Sequence, residues 1–303
     1  MEFLIVLAAA ALRVATPILL AALGEMLAER AGVLNLGIEG TMLLAAFVGF
    51  VAAHQSGSLW VGLAAAIATG ALMGTLMALL SVTLGLNQHV SGLGITLLGG
   101  GLALFFRLLY GGASPPPSLG QSFGQLSVLP GTTLAPLLSQ YGLTYFALLL
   151  VPVLAFVLRR TAFGLRLHAS GENPEAVDIA GVNVYRVRYQ ALVLGGALMG
   201  LAGAFLTLAQ LGAFTHGVVN GRGWVAIAIV IFGNWRPVRI LLGALLFGFV
   251  QALQLRLQAE GVALPYEILL ALPYLVTILV LALAGRNANY PAALLKPYRR
   301  EGG

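Results

Sequence analysis

The sequence predicts an all-α fold, a polytopic helical membrane protein with about eight or nine transmembrane spans. Three observations carry that prediction. Of the 303 residues, 59% are hydrophobic and 9% charged, against roughly 25% charged in a soluble domain. No Asp, Glu, Lys or Arg falls between Glu39 and Arg107, or between Arg107 and Arg159, so apolar sequence covers the ~20 residues of a bilayer crossing several times over. The apolar blocks are also continuous. An outer-membrane barrel needs segments of about ten residues that alternate in polarity, whereas a continuous block in hydrocarbon closes its own backbone hydrogen bonds as a helix.

In chain order the spans fall at residues 3–23, 35–53, 59–85, 89–110, 142–158, 189–211, 222–235, 240–258 and 265–284. The first lacks a basic leader and a small-residue cleavage site, so it reads as a retained helix and not a signal peptide. The seventh is short and is a candidate half-helix. Between the fourth and fifth, residues 111–141 contain Ser114-Pro115-Pro116-Pro117 and many Gly, Ser and Thr, which predicts a loop. The connection 159–188 is the most polar stretch. In it Asn173 suits an N-cap, Pro174 the first helical position, Glu175 and Asp178 the positive helix end, and Gly181 the stop. That pattern predicts a short helix over 174–180, either a structured connector or a docking helix for a partner.

The net charge of +6 reports topology more than nucleic-acid binding. Arg159, Arg160, Arg166, Arg186 and Arg188 crowd one connection, and Arg286, Lys296, Arg299 and Arg300 follow the last span. With both placed in the cytoplasm, alternation also brings Arg30, Arg236 and Arg239 inside. Arg13, Arg107, Arg222 and Arg256 are left elsewhere. The chain 1–303 is then a single transmembrane domain with its N-terminus outside, 111–141 extracytoplasmic and 159–188 cytoplasmic.

Several chemistries find no support. There are no cysteines, hence no disulfides or thiolate metal sites, and His54, His89, His168 and His216 have no ligand-like spacing. A P-loop needs Gly-x-x-x-x-Gly-Lys-Ser/Thr; the single lysine, Lys296, follows Ala292-Ala293-Leu294-Leu295. No nucleophile elbow or zincin motif occurs. No catalytic residue, metal or cofactor of the chain's own is expected.

The polar interruptions are the candidate substrate-path residues, because transporters place binding sites where spanning helices break. Asn35 and Glu39 stand one turn apart and would share a helix face. They read either as a cap with a carboxylate near the helix dipole or paired to Arg30, or as pore-facing groups. Asn87, Gln88 and His89 precede the fourth span. Thr215–Gly223 with Trp224 precede the seventh, and Trp224 suits either stacking on a ring or anchoring at the interface. Arg13 lies within the first span and requires a polar partner. Small residues recur at helical spacing: Gly70 and Gly74, Gly196 and Gly200, Ala244 and Gly248. They predict close helix crossings. The pentapeptide Gly-Ala-Leu-Met-Gly at both 70–74 and 196–200 is compatible with an internal repeat.

Three segments together resemble a known family: Ala28-Glu29-Arg30-Ala31-Gly32-Val33-Leu34-Asn35-Leu36-Gly37-Ile38-Glu39-Gly40, Gly171-Glu172-Asn173-Pro174-Glu175-Ala176, and Gly221-Arg222-Gly223-Trp224 with Phe247-Gly248-Phe249 and Gln251 to Gln258. They are similar to the permease subunits of ABC importers for simple sugars, nucleosides and branched-chain amino acids, most of all to the nucleoside branch. The resemblance implies a chain that does not hydrolyse ATP itself. It implies partners as well: an ABC ATPase subunit that binds ATP and Mg, a second related permease in a heterodimer, and an extracytoplasmic substrate-binding lipoprotein. The bacterial cytoplasmic membrane is the implied location, and Gly171, Glu172, Asn173, Pro174, Glu175 and Ala176 are carried over as the ATPase-coupling segment. An ion-coupled secondary transporter would need coupling carboxylates within spans, and a purely structural membrane subunit would not need the polar breaks.

Overall fold

Each long apolar run becomes a helix, and the polar breaks become its ends. A computed structural model of the chain describes residues 2–111, 118–128, 131–133, 135–260, 266–284 and 289–299. Helix α1 (Glu2–Arg30) runs past its expected end near residue 23. A turn at 31–37 leads into α2 (Ile38–Ser56), which Gly57 closes with φ +68°. Helix α3 (Leu59–Ala78) continues through a π turn, Leu79–Thr83, and α4 (Gln88–Gly111) follows. In the segment expected to be a loop, β1 (Gln125–Leu126), α5 (Ala135–Leu138) and β2 (Gln140–Tyr141) form a small hairpin, with Gln125 opposite Tyr141. Residues 112–117, with the triple proline, lie outside the described residues.

Helix α6 (Gly142–Arg160) is followed by α7 (Ala162–Glu172) and α8 (Pro174–Ile179). The sequence pattern anticipated α8 but not α7. Helix α9 (Val184–Ala204) continues as a π segment, Phe205–Leu211. Then come α10 (Arg222–Phe232), α11 (Pro237–Ala259) and α12 (Tyr266–Ala284), and a tail described over 289–299 with a turn at 292–295. Among the described residues seven helices are long and apolar enough to cross a membrane, and α10 and an apolar stretch of α12 are shorter. Half-helix α10, at 11 residues, is about 16 Å long, half of a ~30 Å hydrocarbon core.

Helix α9 is the centre of the bundle, packed by α1, α2 and α3. Between apolar helices in lipid the hydrophobic effect contributes little, so close van der Waals contact has to hold them. Glycines permit that contact. A Cβ at Gly70 would lie 2.1 Å from the Gly196 carbonyl oxygen, one at Gly196 2.3 Å from that of Gly70, and one at Gly74 2.2 Å from that of Leu192. The two Gly-Ala-Leu-Met-Gly pentapeptides therefore face each other across the α3–α9 crossing. Gly248 meets Ala11 in the same way, at 2.5 Å from its oxygen.

The π segment of α9 widens the helix where the 118–123 strand of chain joins it. Leu119 N donates to Gly212 O (2.7 Å) and Phe123 N to Leu208 O (2.8 Å). Arg13 donates Nε to Ala9 O (3.2 Å). With the Gln125 amide oriented to satisfy both its neighbours, Arg13 Nη1 also donates to the Gln125 side-chain oxygen (2.8 Å). The partner that Arg13 requires is thus an amide and a carbonyl.

Candidate functional site

The site is organised by Glu39, in the first turn of α2. Its turn is pressed against the middle of α4: a Cβ at Gly40 would lie 2.5 Å from Thr96 Cα, and one at Gly99 2.3 Å from Gly40 O. Gly99 is about 16 Å along α4 from Gln88, so Glu39 stands near the mid-depth of that span. There it reaches the start of α10. Gly221 N donates to Glu39 Oε1 (2.7 Å) and Gly223 N to Glu39 Oε2 (2.8 Å).

Free N–H groups at a helix start are ordinarily capped by a nearby Ser, Thr, Asp or Asn. Gly221, the residue at that position, has no side chain, and a carboxylate from another helix takes the role. Its negative charge also suits the positive end of the helix. The glycines are required on geometric grounds. Gly221 has φ +80°, and a Cβ at Gly223 would lie 2.7 Å from Glu39 N and 2.8 Å from Glu39 Oε2. Arg222 lies beside the carboxylate but donates Nη1 to Val218 O (2.9 Å) and Val219 O (3.0 Å). Trp224 follows on the same short helix and is 41% exposed.

The other sequence-nominated residues are placed as follows. Asn35 precedes α2, so it shares no helix face with Glu39. It is buried, and its Oδ1 accepts from Gly37 N (2.9 Å) while its own N donates to Glu25 Oε1 (2.8 Å). Asn87 caps α4, with Oδ1 accepting from His89 N (3.0 Å) and Val90 N (3.3 Å). Gln88 is buried, and its Oε1 accepts from Leu34 N (2.8 Å). His89 is exposed at the start of α4. Asn35 and Gln88 therefore shape the 31–37 turn that delivers Glu39 to α10. Arg30 is not paired with Glu39; its Nη2 and Nε donate to Trp235 O (2.7 and 3.1 Å).

In the 171–176 segment, Gly171 and Glu172 belong to the last turn of α7, and Asn173 caps α8 through Oδ1, which accepts from Ala176 N (3.1 Å). Gly171 is buried: a Cβ there would lie 2.2 Å from Arg30 O. Glu175 and Ala176 are exposed. The α8 helix is thus a short capped projection whose root is wedged against the end of α1.

Sequence reasoning did not single out Glu25, Glu29 or Trp235. Both carboxylates are buried one turn apart on α1, and Trp235 Nε1 donates to Glu29 Oε2 (2.6 Å). Half-helix α10 is therefore held at both ends by carboxylates of residues 25–39. Buried charges near the end of an apolar helix were the available signal, since such groups require partners. Among the described residues no group of three or more His, Asp or Glu could hold a metal ion.

Comparison with known proteins agrees with this architecture. Residues 7–281 match the family described as the permease component of branched-chain amino acid transport systems. The chain is 40% identical to a putative glucose ABC transporter permease protein of Haloferax volcanii, over 99% of each chain. It is 34% identical to the guanosine ABC transporter permease protein of Bacillus subtilis, over 98% of this chain and 97% of that one. A nucleoside ABC transporter permease protein of Lactococcus lactis is 33% identical over 92% of each. The expected kinship with the nucleoside-type branch agrees with these relatives, which include sugar permeases too. With its spanning helices, the chain is a multi-pass protein of the cytoplasmic membrane. It belongs to the permease family of ABC transport systems that includes the branched-chain amino acid permease components.

Proposed function

We propose that this chain is the permease subunit of an ATP-driven importer and forms part of the path of a nucleoside. The observation that carries the choice of solute is the Glu39 cap on α10. A half-helix start at mid-depth is the place where a transporter would bind an anionic group of its substrate. Here the chain's own carboxylate occupies both amides. That arrangement supports an uncharged solute over an amino acid or a phosphate. The half-exposed Trp224 ring on the next turn suits a planar base, and two of the relatives above are named for guanosine and nucleoside transport.

A simple sugar is the second reading, favoured by the putative glucose permease relative. Competition separates the two. In proteoliposomes holding the complete transporter, uptake of radiolabelled guanosine should be ATP-dependent and suppressed by unlabelled nucleosides. ATP-dependent glucose uptake with no guanosine uptake would establish the sugar reading instead.

In the same proposal the arginine-rich 159–188 connection faces the cytoplasm, and α8 is the element on which the ATPase subunit acts. The family implies an ATPase and further permease subunits. The pairing with a related but different permease, and delivery by an extracytoplasmic lipoprotein, complete the proposed assembly. Asn87 and His89 lie at the start of α4, whereas Gln88 and Asn35 support the path by shaping the turn that carries Glu39.

A further inference from the structure

The tail after α12 has no part in the reading above, yet it is fastened at several points. It crosses the end of the bundle that carries α7 and α8. Ala293 is buried, and its N donates to Gly171 O (2.8 Å) in the last turn of α7. Pro291 is also buried. Three residues before Ala293, the Tyr290 ring stands edge-on to Trp235, with centroids 5.0 Å apart and planes at 63°. Asn289 N donates to Asn234 Oδ1 (3.0 Å). The tail then passes α9, where Tyr185 OH donates to Tyr298 O (3.4 Å).

The residues it grips are unusual. Asn234 and Trp235, directly after α10, have φ +49° and +54°. Asn tolerates the left-handed region, but a bulky residue rarely enters it. Trp235 persists there because it is fixed from all sides, by Glu29 on its indole N–H, by Arg30 on its carbonyl and by Tyr290 on its ring. Such over-determined strain collects where a chain switches or transmits.

We propose that residues 289–293 are a positioning strap for transport. They tie the root of α8, at Gly171, to Trp235 at the end of half-helix α10, so that displacement of α8 by the ATPase is passed to α10. This rests on the reading of α8 as the ATPase-contacting helix. The strap is short, since Tyr290 to Ala293 spans at most ~11 Å of chain, and its proline and the buried Pro291 and Ala293 side chains restrain it. A second route runs in parallel, because Arg30 touches Gly171 through its backbone and Trp235 through its guanidinium. Loss of the strap therefore weakens coupling without abolishing it.

The test uses the complete transporter in proteoliposomes, with solute uptake and ATP turnover measured together. Tyr290→Ala removes the ring, Tyr290→Phe keeps it, and Ala293→Pro removes the N–H bonded to Gly171. Tyr290→Ala and Ala293→Pro should bind the ATPase subunit and hydrolyse ATP normally, while uptake per ATP falls three- to tenfold. Tyr290→Phe should match the parent. Unchanged uptake per ATP in both disruptive variants overturns the strap. So does loss of ATPase binding, which would make the tail part of the docking face, or failure of both variants to assemble, which would make it a folding element. Glu175→Arg on α8 is the control. If it too leaves docking and uptake intact, the α8 reading fails; if it alone disturbs them, only the strap fails.

Discussion

Glu39 holds two backbone amides of another helix, and each of its oxygens has one task. Glu39→Gln keeps an acceptor for one amide and turns an NH2 toward the other. Leaving that N–H unpaired in a half-buried site costs about 1–3 kcal/mol, and the position of α10 shifts with it. Uptake should fall about tenfold, as expected from 1.4 kcal/mol per decade, while assembly and ATPase binding stay normal. Uptake within twofold of the parent would mean that the carboxylate does not position α10. Glu39 was legible in the sequence as a carboxylate beside a span. Its partners were not, because Gly221 and Gly223 are distant in the chain and offer only backbone N–H groups, which leave no trace in residue type. Of the readings left open for Glu39, pairing with Arg30 is not the one found, because the arginine is drawn instead to the Trp235 carbonyl in the turn that follows α10.

At the scale of elements, apolar runs and small-residue spacing carried most of the fold. The pentapeptides at 70–74 and 196–200 are seen to be the two sides of one crossing. Gly70→Val would drive a branched side chain into the Gly196 carbonyl and the Gly200 backbone, atoms that belong to a central helix and cannot step aside. Overpacking of this kind costs typically 1–3 kcal/mol or more. The purified variant should unfold several degrees below the parent in a detergent thermal melt, and a smaller Gly100→Ala change, in open space on α4, should not. Equal melting of Gly70→Val and the parent would place α3 and α9 farther apart than described. Helix α7 and the 125–141 hairpin were not legible. The first follows α6 with only Thr161 between, where Thr161 Oγ1 accepts from Gly164 N (3.2 Å), and the second pairs two residues on each side, too few for an alternating pattern.

At the scale of the molecule, orientation and coupling each make a measurable prediction. Ser170, in the middle of the basic connection, is buried, so accessible probes belong at Ala176 and Ser118, both exposed. Cysteines placed there should react with an impermeant reagent from opposite faces, Ser118→Cys from outside cells and Ala176→Cys only in inverted vesicles. Reaction of both from outside would overturn this topology. The most direct test of the account as a whole is uptake per ATP hydrolysed by the reconstituted transporter carrying Ala176→Pro. Proline there deletes the N–H that Asn173 caps and pushes Glu175 out of helical geometry, deforming α8 while leaving Glu39 and α10 untouched. The account predicts a folded permease whose ATPase subunit detaches or hydrolyses ATP without moving solute. Full uptake per ATP with normal ATPase binding would contradict it and leave residues 174–179 a connector between two spans.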